Sequence, residues 1–199
     1  MKLVVASLLT AAFMVVLAIV YVVHVWYFNV NVVLYSAILD ATISCAIVAA
    51  AAIVIRTRLP FDGFSLVLLV VVWALGGYAF AISGPALFDR SLSFYILEKL
   101  QQRGGGILES RMGDVFKDEY MPEFRLVDVR LTEQLQSGTI TVDNGCVTLT
   151  PRGERLATLS RFIRTTLLPK HRLLAGVYTD ALVDPFRASR KGPIGYECQ

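Results

Sequence analysis

Residues 3–54 read LVVASLLTAAFMVVLAIVYVVHVWYFNVNVVLYSAILDATISCAIVAAAAIV, and one side chain in the whole stretch, Asp40, is formally charged. About 20 predominantly apolar residues suffice to cross the hydrocarbon core of a bilayer. The uncharged run from Leu3 to Leu39 is too long for one crossing and fits one crossing plus a return. The chain therefore reads as an integral membrane protein.

Working outward, the first span covers roughly Leu3–Tyr27. Lys2 ahead of an apolar run resembles the start of a signal peptide, but the run continues past Val20 and Val25 to Trp26-Tyr27. A cleavable signal has an apolar stretch of about 7–15 residues, so this reads as a retained span. Trp26 and Tyr27 suit an interfacial aromatic belt. The short turn Phe28-Asn29-Val30-Asn31 makes the first two spans a tight helical hairpin. The second span covers roughly Val32–Ile55 and ends at Arg56-Thr57-Arg58. Pro60, Asp62 and Gly63 then open a third, roughly Phe64–Leu87.

The chain has 199 residues, 55% of them apolar, with a mean hydropathy of +0.59. The excess lies before Phe88 and the charges lie after it, so the membrane–water boundary falls near Ser83-Gly84-Pro85. This predicts a three-helix membrane region over 1–88, an aqueous domain over 89–172 and an irregular C-terminal tail over 173–199. The net charge of +3 names no partner.

Basic residues in short loops set orientation. Arg56, Arg58 and Lys2 mark the cytoplasmic side, which puts the region past the third span outside the cytoplasm of a cell (inner) membrane. Arg90, Lys99 and Arg103 pull the other way. Three cysteines cannot complete a disulfide framework, and neither a CxxC nor a zinc spacing occurs. Cys45 in a span, Cys146 on a strand and Cys198 near the C-terminus read as packing cysteines and a loose terminal thiol.

Three of the polar side chains in the spans fall near one depth. Counting from Arg56 at about 1.5 Å per residue puts Asp40 roughly 24 Å up its helix. Tyr78, counted from Asp62, reaches a similar height, and His24 lies farther out. A charged Asp at mid-bilayer costs about 2.5–3.5 kcal/mol on insertion scales. One reading is a His24–Asp40–Tyr78 cluster that touches a lipid-linked substrate, a proton path or a partner helix. The other is an Asp40 that snorkels or bonds Ser36 and Ser44. Ala41, Cys45 and Ala49 on the second span, with Gly76 and Gly77 on the third, suit close helix packing, because small residues let backbones approach. That contact is internal or with another membrane subunit.

In the aqueous half, Ser91 is placed to cap a helix over Leu92–Gln102, with Leu92, Ile96, Leu97 and Leu100 as its apolar face. Gly104-Gly105-Gly106 stops it and lacks a phosphate-loop spacing. A second helix is expected near Glu109–Tyr120 and a third near Glu123–Gln136. Thr139–Val142 and Cys146–Thr150 alternate around Asn144-Gly145, a strong hairpin signal. A last helix, about Arg152–Leu168, is expected to bury Leu156, Leu159, Phe162, Ile163 and Leu167.

The stretch Ser137-Gly138-Thr139-Ile140, followed by Val147-Thr148-Leu149-Thr150-Pro151-Arg152-Gly153, resembles the wing and following helix start of MarR- and PadR-like regulators. The resemblance covers about Ser91–Leu168. It implies a small α+β winged-helix-like domain, a fold that serves both DNA reading and protein docking. In such regulators the third helix enters the major groove and depends on Lys and Arg to neutralise phosphates. Here Glu123–Gln136 sets Arg125 and Arg130 against Glu123, Asp128 and Glu133, which makes nucleic acid an unlikely partner. The positive charge lies at Arg152, Arg155, Arg161, Arg164, Lys170 and Arg172, opposed only by Glu154, and fits phospholipid headgroups, an acidic partner or plain solvation.

No catalytic motif is visible: two histidines, His24 and His171, leave no Ser/His/Asp arrangement, and GxSxG, HExxH and P-loop patterns are missing. Asp180 and Asp184 stand four apart without a third metal ligand, so no metal or cofactor is expected. The sequence reads first as a non-catalytic accessory or assembly subunit of a larger membrane complex, which docks a partner through its spans and its winged-helix-like domain. The alternatives are a membrane-tethered transcription regulator, and a small membrane enzyme or lipid- or ion-handling protein built around Asp40.

Overall fold

The computed structural model describes residues 2–189 and Cys198. The chain forms two compact units, Met1–Asp128 and Val129–Gln199. The short helix after the third span turns back onto the second.

In the first unit, three helices are long and apolar enough to cross a membrane: α1 (Lys2–Tyr27), α2 (Val33–Val54) and α3 (Gly63–Ser83). Their outward faces carry exposed Val, Leu and Ile, as lipid-facing surfaces do. α2 lies between the other two and is the most enclosed. Phe13, Leu17, Ala41, Cys45, Val48 and Trp73 make the shared core. The Phe13 and Trp73 rings stack with centroids 6.0 Å apart. Trp73 Nε1 donates to Thr10 Oγ1 at 3.0 Å, which satisfies a polar group that hydrocarbon would otherwise penalise. Asp62 caps α3 and accepts from Ser65 Oγ.

After Gly84 the short α4 (Pro85–Arg90) packs on α2 and α3. Ser91 caps α5 (Leu92–Arg103), its Oγ accepting from Phe94 N at 3.3 Å. Gly104 ends α5 in the left-handed region, φ 68°, where the lack of Cβ removes the steric cost. The buried face of α5 is not the expected one: Tyr95 and Lys99 are buried, while Leu92 and Leu97 are exposed. The second helix is also not continuous. It runs as a 3₁₀ turn (Glu109–Arg111), α6 (Met112–Asp114), a π-helical segment (Val115–Tyr120) and α7 (Met121–Glu123). The wider turn lets Tyr120 join Tyr95 and Val115 in one core with Phe116 packed against it. Arg125 at φ 45° breaks the chain before α8 (Leu126–Gln136), so the third helix starts later than its pattern suggests.

In the second unit, β1 (Ile140–Asp143) and β2 (Cys146–Leu149) pair antiparallel with Asp143 opposite Cys146. Asn144 and Gly145, at φ 51° and 80°, form the turn. Both central residues of a two-residue type I′ hairpin need positive φ, which Asn-Gly supplies most readily. Thr150 caps α9 (Pro151–Thr166) by accepting from Gly153 N at 3.1 Å, and donates to Gly138 O at 2.8 Å. Gly153 lies against β1 so closely that a Cβ there would sit 2.1 Å from Thr139 O. This close approach is the physical reason for glycine at that point of the Leu-Thr-x-x-Gly run.

Three expectations are corrected here. The 173–199 tail is not wholly irregular: β3 (Arg172–Leu174) and β4 (Val177–Thr179) form a second antiparallel hairpin around Ala175-Gly176. Alternation there is too short to register as a strand pattern. Residues 190–197 of the tail lie outside the described residues. Cys146 and Cys198 are not loose thiols but a disulfide, with Cα atoms 5.9 Å apart across a sequence separation of 52. Its partner lies too far along the chain for spacing rules to find. The face of α9 expected to be buried is exposed at Leu156, Leu159, Phe162 and Leu167, and Gly153 is the buried residue of that helix.

Candidate functional site

The polar pair inside the spans comes from the two ends of the α1–α2 hairpin. The tight turn over 28–32 brings the last turn of α1 beside the second turn of α2. His24 Nδ1 there meets Asp40 Oδ1 at 2.6 Å. Asp40 is 2% exposed, and its Oδ2 has no hydrogen-bond partner among the described residues. The His24 ring is part-buried and stands edge-on to Phe28, centroids 5.7 Å apart. The carboxylate on Nδ1 orients the ring and leaves Nε2 as its other polar edge, the arrangement by which a carboxylate orients a histidine in general.

Two clefts open on this pair. One, of about 410 Å³, is apolar and lined by Ile19, Val20, Val23, Leu39 and Ile43 with Phe28, His24 and Asp40. The other, of about 340 Å³, reaches toward the turn and includes Tyr21, Asn29 and Ser36. Tyr78 takes no part: it is exposed and lines a separate groove. Ser36 and Ser44 do not satisfy the carboxylate either. Ser44 Oγ donates instead to the backbone oxygen of Asp40 at 2.7 Å.

The small residues divide in the same way. A Cβ on Gly77 would lie 2.8 Å from the Ala41 Cβ, so α2 and α3 touch through this glycine. A Cβ on Gly76 would meet nothing within 4 Å, so no neighbour requires glycine there. Cys45 Sγ lies 3.8 Å from Val70 O. Ala49, with Ala41, Ala46, Ala74 and Tyr78, lines an open groove of about 300 Å³ between α2 and α3.

A search of family models, curated proteins and solved structures returns no match. What the chain can do rests on its own geometry.

Outside the spans, the basic set is partly engaged by the chain itself. Arg161 lies 3.7 Å from Asp184, and the Arg164 guanidinium stands 5.3 Å over the Phe186 ring. Arg152, Arg155, Lys170 and Arg172 are exposed. Arg187 binds both carboxylate oxygens of Asp180, at 2.7 and 2.8 Å, and holds that carboxyl down at about 2. Arg125, just before α8, pairs with Asp128, and Arg130 on α8 pairs with Glu133. No group of three or more potential metal ligands occurs among the described residues.

Sequence reasoning missed a buried lysine. Lys99, 4% exposed, donates to Glu123 at 2.7 Å and to Gln102 at 3.0 Å, lies 3.0 Å from Glu119 and stands 5.5 Å over the Tyr95 ring. Tyr95 OH donates to Glu123 at 2.9 Å. Hydrogen bonding to Glu123 raises the Lys99 ammonium above its ordinary range. Arg103 and Lys99 lower Glu119, and Lys99 with Tyr95 lowers Glu123. Every charge in this cluster has a partner, which marks it as a scaffold for the aromatic core. The signal available was Tyr95 and Lys99 at i, i+4 on α5.

Proposed function

We propose that this chain is a non-catalytic accessory subunit of a larger membrane complex. Its spans pack against a membrane partner, and its aqueous part, ordered as a winged-helix-like domain, docks that partner outside the cytoplasm. The observation that carries this reading is the apolar face along α9, exposed among the described residues: Leu156, Leu159 and Phe162, with Leu167 just past its end, are 47–67% exposed. Contiguous exposed apolar surface of this kind marks a site of association. The groove between α2 and α3, walled by alanines, supports a second contact within the bilayer, since close backbone approach drives helix association there.

The order of α5, the broken helical segment Glu109–Glu123, α8, the β1–β2 hairpin and α9 supports the winged-helix comparison. The carboxylate-paired Arg125 and Arg130, before and on α8, count against a DNA-reading role. The Cys146–Cys198 disulfide supports the extracytoplasmic placement, because such bonds persist in oxidising compartments and are rare in the cytosol.

A photoreactive amino acid at Leu159 in intact membranes tests the reading. One protein adduct is expected, and it should disappear with Phe162→Glu. Adducts to lipid alone would overturn it.

A further inference from the structure

The cleft pair at His24 and Asp40 is a built site that subunit docking does not use. Asp40 is an ionisable side chain that is almost wholly buried, and among the described residues one of its oxygens has no donor. A buried acceptor without a donor costs free energy, and inside a bilayer no bulk water relieves it. Intramembrane carboxylates of this kind face partners or cavities. Here the cavities are present: Asp40 and His24 line both clefts, each within the size range of small-molecule sites.

The two linings differ in character. Toward the bilayer centre the walls are Ile19, Val20, Val23, Leu39 and Ile43, wide enough and apolar enough for an aliphatic chain. Toward the turn they include Tyr21, Asn29 and Ser36, which offer hydrogen-bonding groups. The polar pair stands where the two meet. It lies three residues before the end of α1 and seven past the start of α2, which is about 5–10 Å below the turn at 1.5 Å per residue.

We propose that these clefts bind an amphiphile with a hydroxyl head, such as a long-chain alcohol. Its chain lies along the Ile19–Ile43 cleft, and its head engages His24 Nε2 and the Asp40 carboxylate. A hydroxyl both donates and accepts, so it serves an acceptor oxygen and either tautomer of the imidazole. An ammonium head only donates, and it brings a second charge into hydrocarbon that must be desolvated. A phosphate head would set an anion against the carboxylate.

The test uses the full chain in lipid nanodiscs with a C16 alcohol that carries a diazirine and an alkyne. Photolabelling is mapped by peptide mass spectrometry. Label is expected within residues 19–43 and should be competed by hexadecanol but not by hexadecyl methyl ether, which cannot donate. Asp40→Asn is expected to weaken labelling roughly tenfold, the equivalent of one hydrogen bond to a charged group. Ile19→Trp fills the apolar cleft without touching the polar pair and should abolish labelling. Helicity and elution volume of each variant establish that it is folded. Equal competition by the ether, labelling spread over all three spans, or folded Ile19→Trp protein that labels normally would each overturn the site. Competition by hexadecylamine alone would reassign the head to a cation and overturn the hydroxyl. Label confined to a co-purified protein would make the cleft a helix-docking surface and overturn it equally.

Discussion

At the scale of single residues, two neighbouring glycines separate packing from exposure. Gly77 holds α3 against Ala41, while a Cβ on Gly76, one position earlier, would meet nothing within 4 Å. Gly77→Ala forces the α2 backbone to give way, and overpacking of this kind costs about 1–3 kcal/mol. Gly76→Ala meets no obstacle and should leave stability unchanged or slightly raised, since alanine favours the helix. Thermal unfolding in detergent of the two variants side by side checks this: Gly77→Ala should unfold earlier and Gly76→Ala should not. Sequence alone treated both as packing residues because each is small. Which of two adjacent positions faces a neighbour depends on the rotation of α3 about its axis.

At the scale of elements, legibility followed how local the cause was. The spans were legible because hydropathy needs no partner, and the Asn144-Gly145 hairpin was legible because positive φ is a property of two residues. Lys99 was not, since its burial depends on Glu119 and Glu123, some 20 residues away. The cap at Ser91 was read correctly while the face of α5 was not, for the same reason. This cluster should make the aqueous part of the first unit sensitive to pH at both ends. Glu119 and Glu123 are lowered in the folded state, so their contribution is complete above the ordinary carboxylate value of 4.5 and is lost as pH falls through their lowered values. Lys99 is raised, so its contribution is complete below 10.5 and is lost only as pH rises through its raised value. Near-ultraviolet circular dichroism from Tyr95 and Tyr120 should therefore be flat between about pH 5 and 10. Lys99→Met should narrow the acid arm. A profile unchanged by that substitution would show that the cluster does not support the aromatic core.

The polar pair divides along similar lines. Asp40 stood out as the sole charge in 52 residues, and His24 as one of two histidines. Their meeting was an open alternative, because helix heights counted from opposite ends carry the error of where each helix begins. Tyr78 shares a depth with them but not a face. The exposed side of α9 is the converse case. Its apolar repeat was read correctly, and burial was inferred from it, but Leu156, Leu159 and Phe162 stand exposed among the described residues.

At the scale of the whole molecule, the disulfide ties the chain end to β2 and bears on which side of the membrane the second unit occupies. Closing a loop of 52 residues stabilises by about 4 kcal/mol in the chain-entropy account. Cys198→Ser should accordingly lower the unfolding midpoint of that unit. In intact cells, a maleimide probe that cannot cross the membrane should label Cys146 in this variant and not in the parent chain. Labelling only after the cells are opened would place the unit in the cytoplasm and revive the regulator alternative.

The central claim is that this molecule works by holding another protein. Native mass spectrometry of the chain released from mild detergent tests it most directly. The account predicts a mass equal to 22.0 kDa plus that of a second, different membrane protein, lost on Phe162→Glu. A species of 22.0 kDa alone, or one built only of its own copies, would contradict it.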